Sequence, residues 1–203
     1  MEYYELHPET PQLRYIKKAI DILEKSGVII YPTDTVYGLG CNIFDNTALK
    51  KLYQIKNETT DKLYSFIIPD LKNISLYARV SDFAFKIIKR CTPGPYTFVL
   101  TASKDIPKKL ITKRKTVGIR IPNHAIAQTL VRELGHPIIS TSVTNRRGNV
   151  IYNPIEIQAL FNSQVDLMLA TGALNGEPST IVDLSNDSIE IIREGAGDLS
   201  LLY

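Results

Sequence analysis

The sequence predicts an α/β fold in which a mixed parallel/antiparallel sheet is flanked by helices. Three observations lead there. Segments with apolar residues at helical spacing alternate with short apolar runs that end at proline, glycine or hydroxyl residues. Near the C-terminus several strands follow one another without a helix between them, which calls for antiparallel pairing beside the parallel crossovers. The chain, at 203 residues, can build one substantial core and needs no second one, so residues 1–203 are read as a single domain.

Leu13, Ile16, Ala19, Ile20 and Leu23 recur at helical spacing, and Gly27 is placed to cap that helix before the apolar strand Val28-Ile29-Ile30-Tyr31. Pro32 ends the strand. The stretch YPTDTVYGLG, Tyr31 to Gly40, then reads as a loop that crowds Thr33, Asp34, Thr35 and Tyr37 ahead of Gly38 and Gly40. Asn46 or Thr47 can cap a helix running to about Lys56. Tyr64 to Ile68 is a strand, Ser81 caps a helix to Arg90, and Thr92-Pro93-Gly94-Pro95 turns the chain into the strand Thr97 to Ala102. Val117 to Ile121 is a strand with an internal charge, Arg120, which alternation puts on the face of Gly118. A helix from about His124 ends at Gly135, and Pro137 to Thr141 runs into the hydroxyls Ser140, Thr141 and Ser142. Asn153 and Pro154 start a helix to about Phe161, followed by strands at Asp166 to Ala170, Thr180 to Leu184 and Ile189 to Arg193.

Composition narrows the class of molecule. Hydrophobic residues at 44% and charged residues at 22% are those of a globular protein, and no apolar stretch approaches the roughly 18 residues of a membrane helix. The start, MEYYELHPETP, is acidic and polar, so a cytoplasmic protein is expected and no membrane partner. Cys41 and Cys91 have neither disulfide-framework nor zinc spacing. The net charge of +3 is too small to imply nucleic acid, but Lys104 to Lys115 sets six basic residues against Asp105, a patch able to attract phosphates.

Phosphate-loop, GxGxxG, HExxH and GxSxG signatures are all missing from the sequence. What remains is a set of strand ends carrying hydroxyls and cations: Thr33, Thr35 and Tyr37; Lys56 and Lys62; Arg120; Ser140 and Ser142; Ser179 and Thr180; and Arg193. Such a set, with no evident general base, fits a site for phosphate and a small polar molecule. A charged strand residue such as Arg120 needs an acid or an anionic ligand. Asp34 and Asp183 are the carboxylates that could meet magnesium, although no metal-ligand set is predicted; His7, His124 and His136 share no motif.

In order, YPTDTVYGLG, TPGPYTFVLTAS, TVGIRIPNHAIAQTL, PIISTS, PSTIVDL and IIREGAGD resemble the YrdC-like family of threonylcarbamoyl-AMP synthases over about residues 13–198. HPETPQLRYIKKA is similar to the YciO branch of that family. The resemblance implies a twisted α/β sheet around a large positively charged cavity. It also implies a nucleotidyltransferase that joins L-threonine, bicarbonate and ATP, with Mg²⁺, into threonylcarbamoyl-AMP and pyrophosphate for tRNA modification. Residue by residue it would put Thr35, Arg120, Ser140 and Ser179 around threonine, with Arg120 on the carboxylate. Lys62, Thr116, Ser142 and Arg193 would meet ATP, Lys56 and Lys62 would serve catalysis as phosphate-binding cations, and Tyr37 would form a wall.

Three departures bear on activity. The family's Lys-x-Arg is Lys56-Asn57-Glu58, so an anion stands where a phosphate-binding cation is expected. Its Ser-x-Asn is Ser142-Val143-Thr144, and Ile67 stands where many synthases are polar. These changes predict weak or absent synthase activity with nucleotide or RNA binding retained. The alternative is a double-stranded RNA or tRNA-binding protein of the same fold using Lys104 to Lys115. A binder of a small metabolite is the third reading.

Overall fold

The structure, a computed structural model, describes residues 1–57, 64–104, 106 and 115–203. Glu58, Lys62 and the basic residues Lys108, Lys109, Lys113 and Arg114 lie outside the described residues. Among the described residues, the chain runs β1 (Glu2–Glu5), α1 (Leu13–Glu24), β2 (Val28–Tyr31), β3 (Gly38–Asn42), α2 (Asn46–Lys56), β4 (Ser65–Ile67), β5 (Ala78–Arg79) and α3 (Asp82–Cys91). It continues β6 (Tyr96–Ala102), β7 (Thr116–Arg120), α4 (Ala125–Leu134), β8 (Ile138–Ser142), α5 (Pro154–Phe161), β9 (Leu167–Ala170), β10 (Thr180–Asp183) and β11 (Glu190–Arg193). The strands join one sheet in the order β1-β9-β2-β3-β8-β4-β7-β6-β10-β11, with β5 beside β6. Pairing is mixed: β1–β9, β2–β9, β4–β7 and β6–β10 are parallel, the rest antiparallel. Within the described residues no helix is long and apolar enough to cross a membrane.

Register divides the core in two. Ile30, Leu39, Ile139, Phe66, Ile119, Phe98 and Val182 point to one face and fill the larger cluster with α2, α3 and α5. On the opposite face Leu167, Leu169, Ile29, Tyr31, Ile67 and Ile138 pack under α1 and α4, through Ile16, Ala19, Leu23, Ile126 and Leu130. Those two helices cover only part of that face. Beyond them the same face carries Ser140, Ser65, Gly118, Thr97, Arg120 and Arg193, small or polar side chains that pave the floor of the site.

Several local readings shift. β1 was hidden because EYYE has neither alternation nor an apolar run; its main chain pairs with β9, and Tyr4 stacks on Tyr15 at 4.4 Å between centroids. Gly38 to Asn42 is a strand, not a continuation of the loop, because its glycines admit the Tyr31 ring: a Cβ on Gly38 would sit 3.0 Å from that ring. Asp45, rather than Asn46 or Thr47, caps α2, its carboxylate accepting from the Thr47 and Ala48 amides at 2.7 and 3.1 Å. After α1 the left-handed residue is Ser26 (φ 61°). Gly27 is needed for space instead, since a Cβ there would fall 2.3 Å from Ile22 Cγ2.

The tight contact at β3 yields a stability prediction. A Cβ on Gly40 would lie 2.7 Å from Ile138 Cγ2 and 3.1 Å from Tyr31 Cε1 and the Ile139 carbonyl. Gly40→Ala is expected to cost about 1–3 kcal/mol through overpacking, read as a lower urea midpoint at unchanged slope.

Candidate functional site

Strand register builds the site before any loop contributes. Ser140 of β8 pairs with Ser65 of β4, and Ser65 with Gly118 of β7; two pairs further along, Ile67 sits opposite Arg120. On β6 and β10, Thr97 pairs with Ile181, which pairs in turn with Arg193 of β11. Loop residues close the edges: Thr33, Val36 and Tyr37 after β2, Thr141 and Ser142 at the end of β8, and Ser179 before β10. Together these line a cavity of about 100 Å³.

Arg120 is the centre. It is buried at 7% exposure, and its Nη2 donates to Asp34 Oδ1 at 2.6 Å, Thr35 Oγ1 at 2.7 Å and Thr33 Oγ1 at 3.1 Å. Asp34 Oδ2 accepts in turn from the Asn123 amide at 3.0 Å, so the carboxylate ties the loop after β2 to the end of β7. Thr33 Oγ1 also donates to the Val36 carbonyl at 2.7 Å and accepts from the Thr35 amide at 3.2 Å. Nη2 is therefore fully committed to the protein, while Nε is buried without a hydrogen-bond partner. A buried polar group left without a partner calls for an explanation, and a bound ligand is one. His124 Nδ1, the neighbouring buried nitrogen, also has no partner; burial lowers the imidazole pKa, against a smaller upward pull from Asp34.

Arg193 forms the second cationic wall. Its Nε and Nη2 donate to the Ser179 carbonyl at 3.1 and 2.7 Å, and Nη2 reaches Ser179 Oγ at 3.3 Å, whose hydroxyl lies 2.9 Å from Thr97 Oγ1. Burial, with Arg120 nearby, lowers its pKa. Unlike Arg120 it has no carboxylate within ion-pair distance among the described residues. Behind it, Thr180 Oγ1 accepts from the Gly195 and Gly197 amides at 3.1 and 2.9 Å and donates to the Gly197 carbonyl at 3.0 Å, closing the loop of the IIREGAGD stretch.

At the other end Tyr31, fully buried, donates to Ser140 Oγ at 2.7 Å, and burial pushes its phenol up to about 12. Tyr37 lines the cavity with its ring while its hydroxyl donates to the Gly172 carbonyl at 2.6 Å. Lys56, the last residue of α2, donates to the Ser142 carbonyl at 3.1 Å and to Thr144 Oγ1 at 2.5 Å.

Of the residues singled out from sequence, Arg120, Ser140, Ser142, Ser179 and Arg193 line the cavity together, as does Ile67. Thr35 is 1% exposed and stands behind Arg120, with Thr33 taking the position at the wall. Thr116 shares the face of Arg120 two pairs beyond Gly118 and is buried outside the lining. Ser65, Thr97 and Ile181 escaped the sequence reading because only strand register brings them beside Arg120. The signal for Asp34 was present: a buried arginine in a strand requires an acid, and Asp34 was in the nearby loop. For Mg²⁺ the protein offers little, since Asp34 is engaged as above and Asp183 accepts from the Ser185 amide at 2.8 Å. No group of three metal-ligating residues occurs among the described residues.

The Arg120–Asp34 pair should show the asymmetry of buried charges. Asp34→Ala strands a buried guanidinium and is expected to cost about 3–5 kcal/mol in urea unfolding, whereas Asp34→Asn, which keeps an acceptor, should cost less.

Comparison with known proteins gives this geometry its relatives. The Sua5/YciO/YrdC family model, described as telomere recombination, matches residues 21–195. The chain is 39% identical over 200 residues to the uncharacterized protein YciO of Escherichia coli K12, covering 98% of this chain and 97% of that one, and the crystal structure of E. coli YciO superposes with a TM-score of 0.95 over the whole of both chains. It is 33% identical over 201 residues to a putative threonylcarbamoyl-AMP synthase of Methanocaldococcus jannaschii, covering 96% of this chain and 92% of that one. The crystal structure of P. abyssi Sua5 complexed with L-threonine matches with a TM-score of 0.89 at 25% identity over 96% of this chain and 58% of the longer protein. The expected mixed sheet and family resemblance therefore hold, and the chain belongs to the Sua5/YciO/YrdC family.

Proposed function

We propose that the cavity takes L-threonine at its Arg120 centre and a nucleotide alongside it, making the protein threonylcarbamoyl-AMP synthase-like, with activity weakened or lost. The observation that carries this reading is Arg120, a cavity-lining arginine whose buried Nε has no protein partner, among the hydroxyls of Thr33, Ser65, Thr97, Ser140, Ser142 and Ser179, in a fold shared with a protein crystallised with L-threonine. Nε would donate to the amino-acid carboxylate, with Ser140 and Ser179 completing the pocket and Thr35 holding the guanidinium from behind. Because Asp34 already offsets the charge of Arg120, directionality rather than net attraction would hold the carboxylate there.

In the reaction, the threonine amine captures carbon dioxide as a carbamate, whose oxygen attacks the α-phosphorus while pyrophosphate leaves. The protein needs no covalent intermediate. Its contribution is to orient the two substrates and stabilise phosphate charge, through Ser142, Arg193, Lys56, Lys62 and Thr116. Mg²⁺ would enter on the nucleotide's own phosphate oxygens, as part of the substrate. Glu58, in the position of a family cation, is the sequence reason to expect a slow reaction. A nucleotidyltransferase whose product feeds tRNA modification fits a cytoplasmic location.

The test incubates the protein with ATP, L-threonine, bicarbonate and Mg²⁺ beside an active synthase of the family and measures threonine-dependent pyrophosphate. Release is expected to be far slower than that of the active enzyme, and Glu58→Arg to raise it. Equal rates would overturn the reading of weakened activity. If pyrophosphate is never released but tRNA shifts in a salt-sensitive manner, the RNA-binding alternative gains instead.

A further inference from the structure

The end of β8 runs into a hairpin that the reading above does not use. Thr144 bridges to Val150, the Asn145 amide donates to the Asn149 carbonyl at 2.9 Å, and the Gly148 amide to the Asn145 carbonyl at 2.9 Å. Asn145 Oδ1 accepts from the amides of Arg147 and Asn149, each at 3.0 Å. Gly148, at φ 84°, lets the turn close. Its base is fixed by the Val143 amide on the Tyr37 carbonyl and the Ile151 amide on the Val143 carbonyl. The tip therefore presents Arg146 and Arg147 side by side, both exposed, with no carboxylate at ion-pair distance among the described residues.

The segment leading into the hairpin starts at the cavity. Ser142 lines the cavity, and Thr144 shares Lys56 with it. Arg146 is four residues beyond Ser142, a main-chain reach of at most about 14 Å. Inside the cavity the charge of Arg120 is offset by Asp34, leaving Arg193 as the cation without a carboxylate partner. Among the described lining residues this leaves one cation without a carboxylate partner for a ligand of three or four negative charges, which calls for further cations at the rim.

We infer that Arg146 and Arg147 form a pre-shaped clamp for the outer phosphates of a polyphosphate chain whose inner end enters at Ser142 and Lys56. This rests on reading the cavity as a nucleotide site. Guanidinium forks suit phosphate oxygens, and a hairpin fixed by Asn145 spares the ligand part of the ordering cost.

Calorimetry with inorganic tripolyphosphate, ATP, adenosine and L-threonine tests it. R146S/R147S is expected to weaken tripolyphosphate and ATP by about tenfold or more while adenosine and L-threonine bind as in the unchanged protein. K17S/K25S, which removes two charges from α1 and its end, should leave all four unchanged. N145A keeps both arginines but frees the hairpin, and should weaken tripolyphosphate by a few-fold; retained L-threonine binding shows that each variant is folded. Unaltered polyphosphate affinity in R146S/R147S, or an equal loss in K17S/K25S, overturns the clamp. If the unchanged protein binds L-threonine but no tripolyphosphate, the clamp alone falls; if it binds neither, the clamp and the proposed function fall together.

Discussion

A single buried ion pair sets the geometry on which the site depends. Arg120 is the one charged residue of a buried strand, and Asp34 is the residue that makes it tolerable there. The carboxylate does two jobs, receiving the guanidinium with one oxygen and the Asn123 amide with the other. A loop from one part of the chain is thereby fastened to the end of β7, and the hydroxyls of Thr33 and Thr35 complete the seat. Burying two charges is costly, and the pair is better understood as fixing an arrangement than as a source of stability. The protein's hydrogen bonds to this guanidinium all go to Nη2, and Nε is left buried without a partner.

Incomplete helix cover explains why a cavity exists at all. A sheet of this width needs both faces covered, and α1 and α4 cover the part of one face rich in Ile and Leu. Where cover stops, the strands change character: serine, threonine and glycine take the inward positions, and their small side chains leave open the space that aliphatic side chains would fill. The core and the site are thus two stretches of one surface, separated by which residues alternate inward.

Much of this was legible beforehand. The helices α1 to α5 and most strands followed from periodicity, caps and proline or glycine punctuation, and Arg120, Ser140, Ser142, Ser179 and Arg193 converge as strand ends should in such a sheet. What stayed hidden has physical reasons. β1 and β3 lack the apolar pattern, since a short edge strand is held by main-chain bonds and β3 yields volume to Tyr31. Ser65 and Thr97 join the site through register, a long-range property that no local window carries. Thr33 and Thr35 are two residues apart in a loop of irregular backbone, so sequence could nominate both but not say which reaches the wall.

The floor of the site is laid across neighbouring strands, and their spacing is set by main-chain hydrogen bonds. From Ser140 on β8 to Ile181 on β10 there are four strand-to-strand steps, about 19 Å at ~4.8 Å each. No side-chain substitution alters that pitch. Evolution of this fold can therefore exchange the chemical groups at each post, but the intervals between posts stay fixed, and ligands must suit a ruler that the backbone has already marked.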